Sequence, residues 1–243
     1  MNSYLLRLEF DGTNYCGWQR QKNALSVGDV VFRATETLFG GVTGFSGCSR
    51  TDAGVHAKDF CVSFSAQKQK DSATVVRALN AALPRDIAVL SCQPVSSDFH
   101  ARYSVREKEY EYRICTRPVR SVFAEGHALM YGRTLDCEQL NREAEALVGT
   151  HDFSSFMAAG SRITDAVRTV TRAYFEHVNG DETVFHIAAD GFLYHMVRIV
   201  VGTLLEISEG KRPDLLSALR ACDRSAAGRT VPAQGLYLAR VTY

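Results

Sequence analysis

The segment 193–208 constrains the fold of this chain more than any other. Leu193, Met196, Val197, Val200, Val201, Leu204 and Ile207 recur at helical spacing, and Ile199 and Leu205 widen the apolar face further. A helix apolar around most of its circumference must be covered on several sides, so the rest of the chain has to build layers over it. Arg198 interrupts the run, and no uninterrupted apolar stretch approaches the ~20 residues of a membrane span. At 243 residues the chain suits one large domain or two small ones. Such a length buries about 70–75% of the unfolded surface.

Around that helix the predicted elements are mixed. Period-two alternation predicts strands at 3–10, 87–92 and 110–115, with strand-like character at 42–46 and 60–64. Val27, Val30, Val31, Ala34 and Leu38 predict a helix with Ser26 as its cap and Gly40-Gly41 as its stop. Further helices are expected at 72–82, ended by Pro84, at 137–148, ended by Gly149, and at 214–222. Strands are expected at 167–178, 183–189 and 236–242. Strands and helices mixed without strict alternation argue for an α+β fold with largely antiparallel pairing. The element types recur in similar order on either side of a seam at 126–149. Two similar halves, 1–125 and 126–243, are therefore expected.

The seven cysteines are odd in number and include no C-x-x-C pair. They read as reduced thiols in a core rather than as a disulfide framework or zinc site. No basic segment followed by an apolar one opens the sequence, so the expected compartment is the cytosol. With 28 basic and 27 acidic side chains the formal charge is +1, and a nucleic-acid face would need its positive charge sorted to one side. Between 102 and 120 there is such a concentration: Arg102, Arg106, Lys108, Arg113, Arg117 and Arg120 against Glu107, Glu109 and Glu111. Tyr103, Tyr110 and Tyr112 are interleaved as possible stacking rings. A solvated strand pair with alternating charge accounts for the same pattern. Lys211-Arg212 reads as a solvated helix end.

Two places break the rules of an ordinary core. Gly47-Cys48-Ser49-Arg50-Thr51-Asp52-Ala53-Gly54-Val55-His56 is polar and set between strand-like runs. Small residues around Asp52 let a ligand or another chain segment approach the backbone, although a surface turn with an Asx-type bond fits the spacing too. The second place is Arg198, on the same side of its helix as His195 and Gly202, where Gly202 leaves room for a close approach. A guanidinium there is costly unless a carboxylate meets it. Asp52 is the candidate partner; such pairing keeps a carboxylate ionised, the state a nucleophile needs. A purely structural ion pair perturbs charge in the same way.

These residues also match a known pattern. Arg50-Thr51-Asp52-Ala53-Gly54-Val55-His56-Ala57 resembles the signature loop of the TruA family of tRNA pseudouridine synthases. Asp11-Gly12-Thr13-Asn14-Tyr15-Cys16-Gly17-Trp18-Gln19 resembles the family's opening, and Ala78-Leu79-Asn80 with Leu83-Pro84 its next block. Phe99-His100-Ala101-Arg102 and Lys108-Glu109-Tyr110-Glu111-Tyr112-Arg113 follow. Gly149-Thr150-His151-Asp152-Phe153, Phe192-Leu193-Tyr194-His195-Met196-Val197-Arg198 and Gly235-Leu236-Tyr237-Leu238 complete the series in order. Ser49 stands where the family usually carries glycine, and Val27-Gly28-Asp29 lacks its usual glutamine. The second departure bears on how RNA or a partner subunit is gripped.

The resemblance implies a pseudouridine synthase fold, with a mixed, mainly antiparallel sheet from the two halves, helices outside, and an active cleft between the halves. It implies Asp52 as nucleophile, Tyr110 packed on the target uracil, Arg198 paired with Asp52, Leu236 flooring the pocket, and Arg50 helping to displace the base. The implied substrate is uridine at positions 38, 39 and 40 of the tRNA anticodon stem-loop, bound by a homodimer, with no cofactor, no metal and no membrane. Two other readings use the same residues. One is a catalytically inactive RNA-binding module of the same fold. The other is a metal-dependent phosphodiesterase using Asp52, His56 and His151-Asp152, for which two ligands without a third make no site. Tyr15 and Trp18 are expected to pack in the core, and His100 and His151-Asp152 to be structural or to touch RNA.

Overall fold

In the computed structural model of the chain, residues 1–161 and 163–243 are described. The elements in order are β1 (Asn2–Phe10), α1 (Val27–Phe39), β2 (Val42–Gly47), β3 (His56–Ala66), α2 (Ser72–Ala82), β4 (Ile87–Val95), β5 (Glu107–Cys115), β6 (Leu129–Met130), α3 (Cys137–Ala144), β7 (Gly149–Asp152), β8 (Val167–Asn179), β9 (Glu182–Ala189), α4 (Met196–Ser208), α5 (Leu215–Arg220) and β10 (Leu236–Thr242). Mixed strands and helices make the α+β class that the patterning predicts. The chain forms two compact units, residues 1–106 with 237–243 and residues 107–236.

In the first unit β1 lies between β4 and β3, antiparallel to both. Its alternation places Tyr4, Leu6, Leu8 and Phe10 in the core, while Leu5 is also buried. The other edge of β3 is shared. Residues 62–66 pair with β2, antiparallel, and His56 and Ala57 pair with Tyr237 and Leu238 of β10, parallel. The connection between β2 and β3 is thus the polar segment around Asp52, planted directly at the start of a strand that has partners on both edges. Helix α1 begins where Ser26 Oγ accepts the Asp29 N–H and ends at Gly40 in the left-handed region, φ 70°. It buries Phe39 against Tyr4 and Phe64, with ring centroids 5.2 Å away in each case. Helix α2 is fastened to β4 by the Asn80 side chain, which donates to Val89 O (2.9 Å) and accepts from Val89 N–H (2.7 Å).

In the second unit β5, β9, β8 and β7 run antiparallel in that order, with β6 parallel to β5. Eight consecutive residue pairs join β5 to β9, which assigns β5 to this unit. The compact units therefore divide at 106/107, and β10 from Tyr237 onward returns to the first unit. These bounds differ from the halves 1–125 and 126–243. Helix α4 buries ten of its residues, as its apolar circumference requires. It starts at Met196, not at 193, because His195 sits at φ 60° and a left-handed residue cannot continue a right-handed helix. The approach expected at Gly202 is filled by the chain itself: a Cβ there would lie 1.8 Å from Arg229 O.

Several surface expectations need correction. Cys48, Cys61, Cys92 and Cys115 are buried, but Cys16 and Cys222 are exposed and Cys137 is half-buried. The Arg212 end of Lys211-Arg212 is not merely solvated: its Nε lies 2.6 Å from Glu206 Oε2 and its Nη1 donates to Ala226 O. In the stretch 102–120 only Tyr103 presents an open ring. Tyr110 and Tyr112 face the interior, because they point to the packed side of β5 while Glu107 and Glu109 on its other side meet Arg172.

Candidate active site

The loop bearing Asp52 is built by two neighbouring loop segments whose glycines permit contact closer than any side chain allows. Trp18 N–H donates to Thr51 O (3.3 Å) and Gly54 N–H to Tyr15 O (3.2 Å), while Val55 N–H closes a turn onto Asp52 O (3.2 Å). A Cβ on Gly17 would lie 2.2 Å from Thr51 O, and one on Gly12 would lie 2.0 Å from Val55 O. Gly17 is also at φ 78° and Gly54 at φ 77°, a region that costs other residues strain. The segment 11–18 therefore grips the Asp52 loop backbone to backbone. Asp52 itself is half-buried, Thr51 and Val55 are buried, and Arg50 is exposed.

The flanks of this loop are aromatic and rigid. Trp18 stacks on Phe60 at 4.1 Å between ring centroids, and Gly47 makes room for it, since a Cβ would lie 2.4 Å from the indole nitrogen. Tyr15 is buried and donates to Asp86 Oδ1 (2.7 Å); burial, then that carboxylate, push its phenol pKa well up. Both rings are core, as the sequence suggests. His56 is also buried. Its Nδ1 accepts the Gly12 N–H (3.1 Å), and its ring stacks on Tyr237 at 4.5 Å. It thereby pins the 11–18 segment to the start of β3.

The second unit holds the other three candidates. Tyr110 on β5 is buried and meets Phe192 edge to face at 4.9 Å. Arg198 on α4 is half-buried. Its Nε donates to Val231 O (2.8 Å), and Val231 N–H returns a bond to its carbonyl (3.3 Å). The same returning segment receives Tyr112 Oη at Pro232 O (2.8 Å), and burial pushes the Tyr112 phenol up. Gly235 then passes against the Arg113 carbonyl and the Tyr112 ring, and Leu236 follows, buried. One returning segment, 228–236, with a 3-10 turn at Ala233–Gly235, thus fixes the arginine and the leucine together. The geometry brings Tyr110, Arg198 and Leu236 into one unit, and Arg50 and Asp52 into the other.

Other candidates are occupied with structure. His100 Nδ1 accepts from the Arg102 and Tyr103 N–H groups. His151 bonds Val148 O, and Asp152 caps the turn at Ser154. Sequence patterning missed the grip by Gly12 and Gly17, whose only local signal is the pair of glycines spaced around Tyr15. It also missed the segment 228–236, where Gly228 N–H donates to Thr203 Oγ1 (2.8 Å).

A tRNA pseudouridine synthase family model matches residues 8–104 and 144–243, which contain every candidate above except Tyr110. The chain is 40% identical over 249 residues to tRNA pseudouridine synthase A of Clostridium acetobutylicum, covering all of both chains. It is 42% identical over 246 residues to the protein of that name from Acetivibrio thermocellus, again with full coverage of each. With the Rhodospirillum rubrum counterpart it shares 41% over 246 residues, all of this chain and 88% of the other. With the gripped aspartate loop and the anchored helix arginine both present, the chain belongs to the tRNA pseudouridine synthase family, isomerases that turn uridine into pseudouridine.

Proposed function

We propose that this enzyme acts in the cytoplasm, as a homodimer, on uridines 38, 39 and 40 of the tRNA anticodon stem-loop, with Asp52 as its nucleophile. The observation that carries the reading is the Asp52 loop. Its backbone is fixed by hydrogen bonds to the 11–18 segment, from Trp18 N–H to Thr51 O and from Gly54 N–H to Tyr15 O, and by close glycine contacts at Gly12 and Gly17. A reacting carboxylate needs that kind of positioning. Arg198, with Nε already spent on Val231, is the proposed cationic partner of Asp52.

The chemistry follows from the bonds. The C1′–N1 bond breaks, the uracil turns, and C1′ joins C5; the C5 proton leaves and N1 gains one. Asp52 attacks either C1′ or ring carbon C6, and both routes need an ionised carboxylate and a pocket that retains the loose base. The target must first leave its stack, at a cost of a few kcal/mol. Arg50 offsets part of that cost, the flat face of Tyr110 packs on the uracil, and Leu236 floors the pocket. No redox or nucleotide cofactor enters this scheme. Two subunits pooling their basic side chains explain how a chain of formal charge +1 grips RNA.

Site choice is tested by carbodiimide mapping of pseudouridine in tRNA transcripts after incubation with the enzyme. Signal confined to positions 38–40 is the expected result. Pseudouridine elsewhere in the tRNA, or none with tRNA still bound, would overturn the reading, the latter in favour of an inactive RNA-binding module.

A further inference from the structure

Beside the Asp52 loop, and wholly within the first unit, lies a polar pocket of about 190 Å³ lined among others by Trp18, Gln19, Arg20, Phe45, Arg50 and Arg102. Three of its lining residues are arginines and none is acidic. Arg50 and Arg102 have no carboxylate within ion-pair distance among the described residues. Arg20 is fixed from two sides, its guanidinium 3.8 Å over the Phe32 ring and its Nε 3.4 Å from Asp29. Asp29 also serves Arg33 at 2.9 Å, so its charge is divided. Gly28 and Gly47 contribute bare backbone to the wall, and Trp18, wedged against Phe60, makes it rigid.

The chemistry of this pocket selects its ligand. Guanidinium forks suit phosphate oxygens. The space is smaller than the roughly 300–1,000 Å³ of small-molecule sites, so it admits a phosphodiester with the edge of a sugar rather than a whole cofactor. Arg50 is two residues from Asp52, a span of at most about 7 Å, or about one nucleotide along a strand. We infer that the pocket between Arg20, Arg50 and Arg102 seats a backbone phosphodiester of the RNA beside the reacting nucleotide, with Arg102 as a positioning residue. This rests on the tRNA reading above. By clamping the strand next to the target, the pocket holds the backbone while the base is turned out.

The test compares wild type, Arg102→Ala, Arg102→Lys and Arg77→Ala; the last removes the same charge outside the pocket. Filter binding of tRNA is followed between about 50 and 200 mM salt, with KM measured alongside. Arg102→Ala should weaken binding five- to tenfold, raise KM in proportion, and reduce the salt slope by about 0.7 to 0.9, the loss of one phosphate contact. Arg102→Lys should restore the slope. An unchanged slope in Arg102→Ala, or an equal loss in Arg77→Ala, would overturn the inference. Titration of wild type with inorganic phosphate separates the sources. No saturable heat at 1 mM is expected of a backbone site, whereas tight one-to-one binding lost in Arg102→Ala would assign the pocket to free phosphate and overturn the RNA assignment. Tritium release from C5-labelled tRNA by the same wild-type preparation keeps the two readings apart. Release with an unchanged Arg102→Ala slope sinks the pocket alone; no release with a changed slope sinks the isomerase reading and leaves the phosphate site standing.

Discussion

Asp52 depends on residues that carry no chemistry of their own. Gly17 lies so close to Thr51 O, and at φ 78°, that Gly17→Ala must displace either the loop or its neighbour. Overpacking of this kind costs about 1–3 kcal/mol. The expected outcome is a lower melting temperature together with a more than tenfold loss of turnover, checked by thermal melts and tritium release; a normal rate would remove the positioning role of the grip. Tyr110 is buried with its ring edge to Phe192. The role proposed for Tyr110 extends to moving a proton through its hydroxyl, so Tyr110→Phe should bind tRNA as wild type does yet slow turnover by about 10²-fold or more, the usual worth of a general acid or base. Full activity in Tyr110→Phe would leave the ring a packing role only. Asp52 and Arg198 were legible as residues out of place, an acid among small residues and a cation on an apolar helix. The glycines that hold the Asp52 loop were not, because a close approach between residues as far apart as Gly17 and Thr51, or Gly12 and Val55, leaves no local pattern.

At the scale of elements, local signals located what local physics decides. The Ser26 cap and Gly40 stop of α1 and the bounds of α2 follow from side-chain capping and backbone conformation near the helix ends. Helix α3 ends at Ala144 and continues only as a 3-10 turn over Glu145–Leu147, so the apolar spacing to 148 overran the regular helix. The short strands β6 and β7 have no alternation long enough to read; pairing to β5 and β8 makes them strands. Ser26→Ala should cost about 1 kcal/mol through loss of the Asp29 N–H bond, read by urea unfolding. At the end of α4, Lys211, then Arg229 and Tyr131, hold the Glu209 carboxyl down to about 2 from the ordinary 4.5. A depressed carboxyl stabilises the fold above its unfolded pKa and loses that contribution as pH falls through the folded one. Glu209→Gln should therefore melt below wild type at pH 7, and the gap should close as pH falls from 4.5 to about 2. A gap that persists at pH 2 would refute the ionic contribution.

For the whole molecule, fold class was readable because an apolar helix and alternating strands leave few layered arrangements. The bounds of the compact units were less so. Strand β10 returns to β3 across the sequence, and no composition shift marks a partner so distant. The long-range order of the family's motifs supplied what periodicity lacked, and the structure explains two of them physically. The opening block grips the Asp52 loop, and Gly235 lets the last strand begin against Tyr112. Among the described residues no helix is long and apolar enough to cross a membrane. With a formal charge of +1, RNA affinity must come from local grouping of arginines, and it should fall steeply with salt.

The proposed role of the fixed Asp52 carboxylate is to perform the isomerisation. Its most direct measurement is tritium release from tRNA labelled at uridine C5, with wild type and Asp52→Ala side by side and a chelator present throughout. Release by wild type and none by Asp52→Ala, with tRNA binding retained in both, is the expected result. If Asp52→Ala keeps even about a tenth of wild-type turnover, a tenfold effect being only about 1.4 kcal/mol, Asp52 is not the nucleophile.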